Sequence, residues 1–469
     1  AYNPTLADVD AGAVRVTTSA TALGDRAATR AWLQGDTTDA SRTETVLADT
    51  TLAPVASRAT GATTISLDAA AFAARTPGIY PVRADYTTPQ GIVTARTVLV
   101  VPAATTGGTV TVIAPITAPA RSTGLLTADE LTTLTAPGGQ LRSALDAVTG
   151  SNAVLAVDPA IVAAIRVLGT AAPASAVAWL SDLMTLPNPR FALQFGDADL
   201  ATQIAAGLGA PLTALPLDPY MSARDFRAAS GASSGAPGDS ASSATPTPAP
   251  SAPAALPTLA QLTDVGGSGD AVLWPATGTA GAETVAALAA ASSLTLIDSG
   301  AVTDAVAPAW ATAPGAGDAR LLVYDADTSR ALGAAAASDA APARDAALAA
   351  ASAYAQFASA DAGAGALVVT IDRSGASPSL RAALQTASGL AGRTASSDLT
   401  ALTSEAATPV TLRTATAGTA EETRVAHLQA LLNDESDLQS FSSILADPSV
   451  LTSPERAAIL QLIGNGWRA

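Results

Sequence analysis

Along the first hundred positions, apolar and polar residues alternate with the two-residue period of half-buried strands. Val14-Arg15-Val16 and Thr64-Ile65-Ser66-Leu67 carry the pattern briefly. Gly78 to Tyr86 strings Ile79, Val82, Ala84 and Tyr86 along an extended segment, and Gly91 to Val101 follows after a Thr-Pro-Gln-Gly turn. That pairing predicts a hairpin ending in a buried strand. Residues 1–104 therefore read as a small β-sandwich of immunoglobulin-like type, an architecture that more often binds or spaces than catalyses.

From about Thr105 the pattern changes to short β runs separated by Ala- and Leu-rich helical stretches. The predicted strands are Val110–Ile116, Ala153–Val157, Phe191–Phe195, Ala271–Trp274, Leu294–Ile297, Leu321–Tyr324, Ala366–Ile371 and Val410–Leu412. Eight β runs with helical crossovers predict a parallel (β/α) barrel over 105–417, either complete or missing a strand and so seven-stranded or incomplete. A doubly wound open sheet is the alternative, but no G-x-G-x-x-G follows the first strand. Residues 228–258 break the rhythm. From Ala228 to Ala255 only Ala, Ser, Gly, Pro, Thr and Asp occur, which predicts a disordered insertion. The last segment, 418–469, reads as helices packed back on the barrel. Leu428, Leu431 and Leu432 share one face, Phe441, Ile444 and Leu445 follow in the next segment, and Thr452-Ser453-Pro454-Glu455 resembles a helix start whose apolar face is Ile459, Leu460, Leu462 and Ile463. Trp467 suggests docking of the end of the chain.

Composition narrows the chemistry. The 469-residue chain carries a net charge of −16, which argues against nucleic acid and anionic lipid as partners. All 24 basic residues are arginine, a pattern typical of a GC-rich genome. Without lysine no Walker motif exists, and without cysteine there is no disulfide, thiolate metal site or cysteine nucleophile. A single histidine, His427, rules out two-histidine metal sites and falls in a helical stretch, where a surface position is the simpler reading. No run of apolar residues is long enough to span a bilayer. No cofactor signature is present and no metal site is expected.

In a barrel, side chains just after the strands gather at one rim. Asp158, Asp197, Asp199, Asp298, Asp325, Asp327 and Asp372 fall there, with Phe195, Tyr220, Trp274 and Tyr324 as aromatic neighbours. Sugar hydrolysis needs two carboxyl groups, and aromatic faces stack on sugar rings. For each Asp taken alone, an ordinary helix cap is the simpler reading. Asp372 is the strongest catalytic candidate, because it closes the most apolar strand, Leu367 to Ile371, though Arg373 beside it offers a structural partner. Trp274, Asp158, Asp197, Asp199, Tyr324 and Asp325 form the expected ligand-binding set.

Two resemblances follow from these residues. Val154 to Val162, with its Asp158-Pro159 turn, Trp274-Pro275-Ala276-Thr277-Gly278 and Val368 to Asp372 resemble the strand ends of alpha-amylase-like and alpha-mannanase-like glycoside hydrolases with seven-stranded barrels. That likeness implies a glutamate nucleophile where this chain has Thr277, and histidines that it lacks. Polysaccharide deacetylases are similar in shape but need an Asp-His-His metal site that one histidine does not provide. The second resemblance is to an uncharacterised exported family of the actinobacterial cell envelope, encoded beside the lipid II flippase. It rests on Gly78 to Val82, Leu134 to Leu141, Ala156 to Ala160, Trp274-Pro275 and Ser443 to Pro448. It implies an extracellular portion of a protein whose membrane anchor lies outside this chain. The expected function is a catalytically degenerate, hydrolase-like barrel that binds a glycan, a peptidoglycan precursor or an envelope protein such as the flippase. The alternatives are an active glycoside hydrolase using Asp372 with a second rim carboxylate, and a structural spacer of a membrane-anchored complex.

Overall fold

The computed structural model describes residues 3, 5–36, 43–67, 72, 74–88, 91–103, 107–226, 256–267, 271–290, 294–304, 306–415 and 418–468. The expected insertion at 228–258 lies, as far as residue 255, outside them.

The N-terminal strands β1 (Gly12–Ser19), β2 (Glu44–Leu52), β3 (Gly78–Thr88) and β4 (Gly91–Val101) form one antiparallel sheet in the order β2-β1-β3-β4. The predicted hairpin is β3–β4, in register from Gly78 opposite Val101 to Thr88 opposite Gly91. Where a two-sheet sandwich was expected, the described residues show a single four-stranded sheet, with helices packed on Ile79 and Val98 and the non-helical Val9 and Val55 packed on Leu52 and Tyr86. Leu23, Ile79 and Val98 pack with Trp32 of the helix Arg26–Gln34 and with Ala353 of the long helix Ala341–Ala362. Alternation of apolar residues announces a buried face, but it does not say whether a sheet or a helix will cover it.

The rest is mixed α/β. Strands β5 (Thr109–Ile116), β6 (Val154–Val157) and β7 (Arg190–Ala192) pair in parallel. β8 (Val272–Leu273), β9 (Leu294–Asp298), β10 (Trp310–Ala313), β11 (Ala319–Tyr324), β12 (Leu367–Thr370), β13 (Thr394–Ala395) and β14 (Thr408–Pro409) complete two further sheets. One runs β12-β5-β6-β7, with β13 beside β5. The other runs β14-β10-β11-β9-β8. All pairs are parallel except β10 with β11. The ladders do not close into one continuous barrel among the described residues. A single backbone bond, Asp325 N–H to Val368 O at 2.9 Å, ties the end of β11 to β12.

The strand pattern explains the layering. On β6, Leu155 and Val157 face the helical layer, while Val154 and Ala156 join an inner cluster. On β12 the outer residues are Leu367 and Val369 and the inner one is Val368. The inner cluster also takes Ile113, Phe191, Trp274, Leu296, Leu322 and Tyr324, so both parallel sheets share it. Strands buried on both faces read as continuous apolar runs, which is why they were visible in the sequence. β10 was missed because Trp310-Ala311-Thr312-Ala313 is short, alanine-rich and followed by a Pro-Gly turn. The run Val410–Leu412 contributes one bridge, Leu412 with Val302, and the adjacent ladder is β14.

The C-terminal helices are Thr419–Ser442 and Ser449–Leu462. The second begins earlier than expected, after Asp447, whose carboxylate accepts the Ser449 N–H at 3.0 Å. Pro454 therefore lies inside the helix. Leu428, Ile459, Leu460 and Ile463 are buried as expected, but Phe441, Ile444 and Leu445 are exposed. Part of the tail's docking is through backbone: Gly464 bridges to Ala198, and Asp199 donates its N–H to Ile463 O at 3.1 Å. Trp467 itself is half exposed. His427 lies on the exposed side of its helix.

Candidate functional site

The strand ends do gather acidic residues, and most are committed to holding backbone. Asp158 caps the helix Pro159–Arg166 by accepting the Ala160 N–H at 2.9 Å, and it also accepts the Gly196 N–H at 2.9 Å. Asp199 caps the helix Leu200–Ala205 through the N–H groups of Ala201 and Thr202. Asp325 caps the helix Ala326–Ala337 through Thr328 N–H at 2.9 Å. Asp298 accepts the Gly278 N–H at 2.8 Å and so pins the Trp274–Gly278 turn, with Gly278 in the left-handed region at φ 81°. Short acidic side chains at strand-to-helix junctions satisfy N–H groups that have no helical partner.

A cavity of about 370 Å³ opens at this rim. Trp274, Thr277, Tyr324 and Asp372 line it, together with Arg330, Arg373, Asn465 and Arg468. At the position that resembles a hydrolase nucleophile, the Thr277 hydroxyl and the Tyr324 phenol are 2.8 Å apart and hydrogen-bonded. Burial keeps the proton on Tyr324 well above the ordinary phenol range. Trp274 meets Tyr324 edge to face, with ring centres 6.3 Å apart. One face of the indole is occupied by the Arg373 guanidinium at 4.3 Å.

Asp372 is exposed, and its carboxylate accepts the Ser374 N–H at 3.2 Å and hydroxyl at 2.7 Å. Arg373 turns away from it, donates to Trp274 O, and approaches Asp197 with Nε 3.4 Å from Oδ2. The burial expected to raise a catalytic acid falls instead on two other carboxyls. Burial first, then its neighbour Asp197, pushes Asp158 up to about 7 against the opposing bond from Ala160 N–H. Burial likewise pushes Asp197 up to about 6, against the pull of Arg373 and the Asn465 side chain. Asp197 also holds a left-handed backbone at φ 48°, directly after Gly196 at φ 70°. For Asp199, burial is outweighed by Arg468 and Thr202, which hold its carboxyl below the ordinary range.

The expected set therefore separates. Trp274, Thr277, Tyr324 and Asp372 share the cavity, Asp197 lies behind it through Arg373, and Asp158 lies behind Asp197. Asp199 is fully buried and ion-paired to Arg468 and Arg424. Asp325 and Asp327 face the β-domain, where Arg26 sits 2.8 Å from Asp325 and Arg30 2.7 Å from Asp327. Phe195 packs into the outer core and Tyr220 against it. Arg330, Asn465 and Arg468 carried no sequence signal, because two come from a tail more than 250 positions away from Asp197 and Asp199, which they hold. Among the described residues no group of three or more His, Cys, Asp or Glu is placed to hold a metal ion.

A family model described as "Family of unknown function (DUF6049)" matches residues 2–469, so the chain belongs to that family. No curated protein matches it.

Proposed function

We propose that this chain is a non-catalytic glycan-binding protein of the cell envelope, built on an incomplete seven-stranded barrel. In this reading the two parallel sheets are the two arcs of the barrel, joined around the inner cluster of Trp274, Tyr324 and Val368. The ligand is a wall saccharide or its precursor, bound outside the membrane in the rim cavity.

One observation carries the reading. Thr277 stands where a retaining hydrolase would present its nucleophile, with its hydroxyl engaged by Tyr324, and Asp372 is the only acidic residue lining the cavity among the described residues. Retaining and inverting hydrolysis both need a pair of carboxyl groups flanking the scissile bond. A hydroxyl-lined cavity with one carboxylate is equipped to hold sugar hydroxyls and not to cleave between rings. The test is to incubate the purified protein with the disaccharide of N-acetylglucosamine and N-acetylmuramic acid. Binding without release of a monosaccharide is expected, weakened by Asp372→Asn. Turnover that Asp372→Asn abolishes would overturn the reading in favour of an active glycosidase.

A further inference from the structure

The rim cavity is basic in an acidic protein. Three of its lining residues are arginines, Arg330, Arg373 and Arg468, against the single carboxylate of Asp372, in a chain of net charge −16. Arg468 is fully engaged by Asp199 and Glu421. The other two are not. Arg330 is 63% exposed and, among the described residues, bonds only Asp327, through Nη1 at 2.7 Å. Arg373 has a side chain only 5% exposed, yet its buried Nη1 has no hydrogen-bond partner among the described residues. Its ion pair with Asp197 is long, and Asp197 Oδ2 and Asn465 Oδ1 are likewise buried without a hydrogen bond among the described residues. A buried guanidinium with an unmet N–H is destabilising. Of these atoms only the Arg373 Nη1 is a donor; a ligand that brings an acceptor to it satisfies that N–H, while the two acceptor oxygens take no part in holding an anion.

We propose that this cavity recognises an acidic pyranose, a sugar ring carrying a carboxylate. The inference rests on the glycan reading above and names the class of sugar. Arg330 and Arg373 take the carboxylate, for which the guanidinium fork is well shaped. Asp372 already accepts two bonds from Ser374 and has lone pairs left for ring hydroxyls. A single negative charge suits the site better than a phosphate dianion, because the Asp372 carboxylate lines the same cavity and repels the second charge.

The experiment compares acidic sugars with their neutral counterparts, by ligand-observed NMR on the whole chain. N-acetylmuramic acid is set against N-acetylglucosamine, and glucuronic acid against glucose. The acidic member of each pair is expected to bind roughly tenfold more tightly, the size of one charge-assisted hydrogen bond. Arg330→Ala, at an exposed position, is expected to erase most of that preference by weakening the acidic sugar severalfold more than the neutral one. If acidic and neutral sugars bind equally, the inference fails and the glycan reading stands. If no sugar binds, both fail together. If the preference survives Arg330→Ala undiminished, the assignment of the carboxylate to this arginine pair is wrong.

Discussion

Replacing Asp158 with Asn asks whether the carboxyl beneath the rim is kept from ionising. Asp158 is buried, and burial moves it from an ordinary 3.8 to about 7. The folded protein therefore keeps a proton that the unfolded chain gives up near its ordinary value. Below about pH 4 both states hold the proton and the group is neutral to stability. As pH rises towards about 7 the folded state binds more protons than the unfolded one, so stability falls across that window and levels off above it. At about 1.4 kcal/mol per pH unit, the window corresponds to a loss of about 4 kcal/mol, an upper figure because Asp158 and Asp197 titrate against each other. Asparagine can accept the Ala160 and Gly196 N–H groups through its carbonyl oxygen and never ionises. The assay is urea unfolding of both proteins from about pH 5 to about pH 8, comparing midpoints at unchanged m-value. The parent is expected to lose stability with rising pH more steeply than Asp158→Asn. The variant should gain on it by about 1–3 kcal/mol at the alkaline end, once the amide's own unmet donor is discounted. Parallel pH profiles would refute the argument that burial holds this proton in place.

Two further substitutions test the frame around the cavity. Asp199→Ala removes a helix cap and leaves Arg468 and Arg424 without their shared buried partner, so a loss of about 3–5 kcal/mol is expected in thermal or urea unfolding. Because Asp199 is held below its ordinary range, this contribution is present at neutral pH and disappears as pH falls through the folded-state value. A loss under about 1 kcal/mol would mean that the tail does not depend on this charge. Gly333→Ala places a methyl group 2.9 Å from the Asp372 Cβ, closer than packing allows, and should shift Asp372 at a cost of about 1–3 kcal/mol. Disaccharide binding measured by calorimetry should weaken severalfold, and unchanged affinity would show that the position of Asp372 is immaterial.

Much of the scaffold was legible. Val154–Val157, Leu294–Asp298, Ala319–Tyr324 and Leu367–Thr370 are apolar on both faces, and local burial is the one property that a short run of sequence reports reliably. The β3–β4 hairpin was legible for the same reason, helped by its turn. The Asp residues at strand ends were found, but whether each caps, pairs or faces a cavity depends on what lies within a few ångströms. Asp158 and Asp372 occupy equivalent places after their strands. One is buried beneath the Gly196 loop, and the other is open to solvent.

By itself the sequence determined the change from alternating strands to strand–helix repeats. It also determined the absence of lysine, cysteine and paired histidines, which removes whole classes of chemistry before folding is considered. Only the tertiary structure decided that the N-terminal strands make one sheet partly covered by helices and that Arg373 serves Trp274 and Asp197 instead of its neighbour Asp372. It also decided that Asn465 and Arg468 return to complete the rim. The reason is physical. Periodicity is written in residues a few positions apart, whereas charge pairing and cavity lining join residues hundreds of positions apart and exist only once the chain has brought them together.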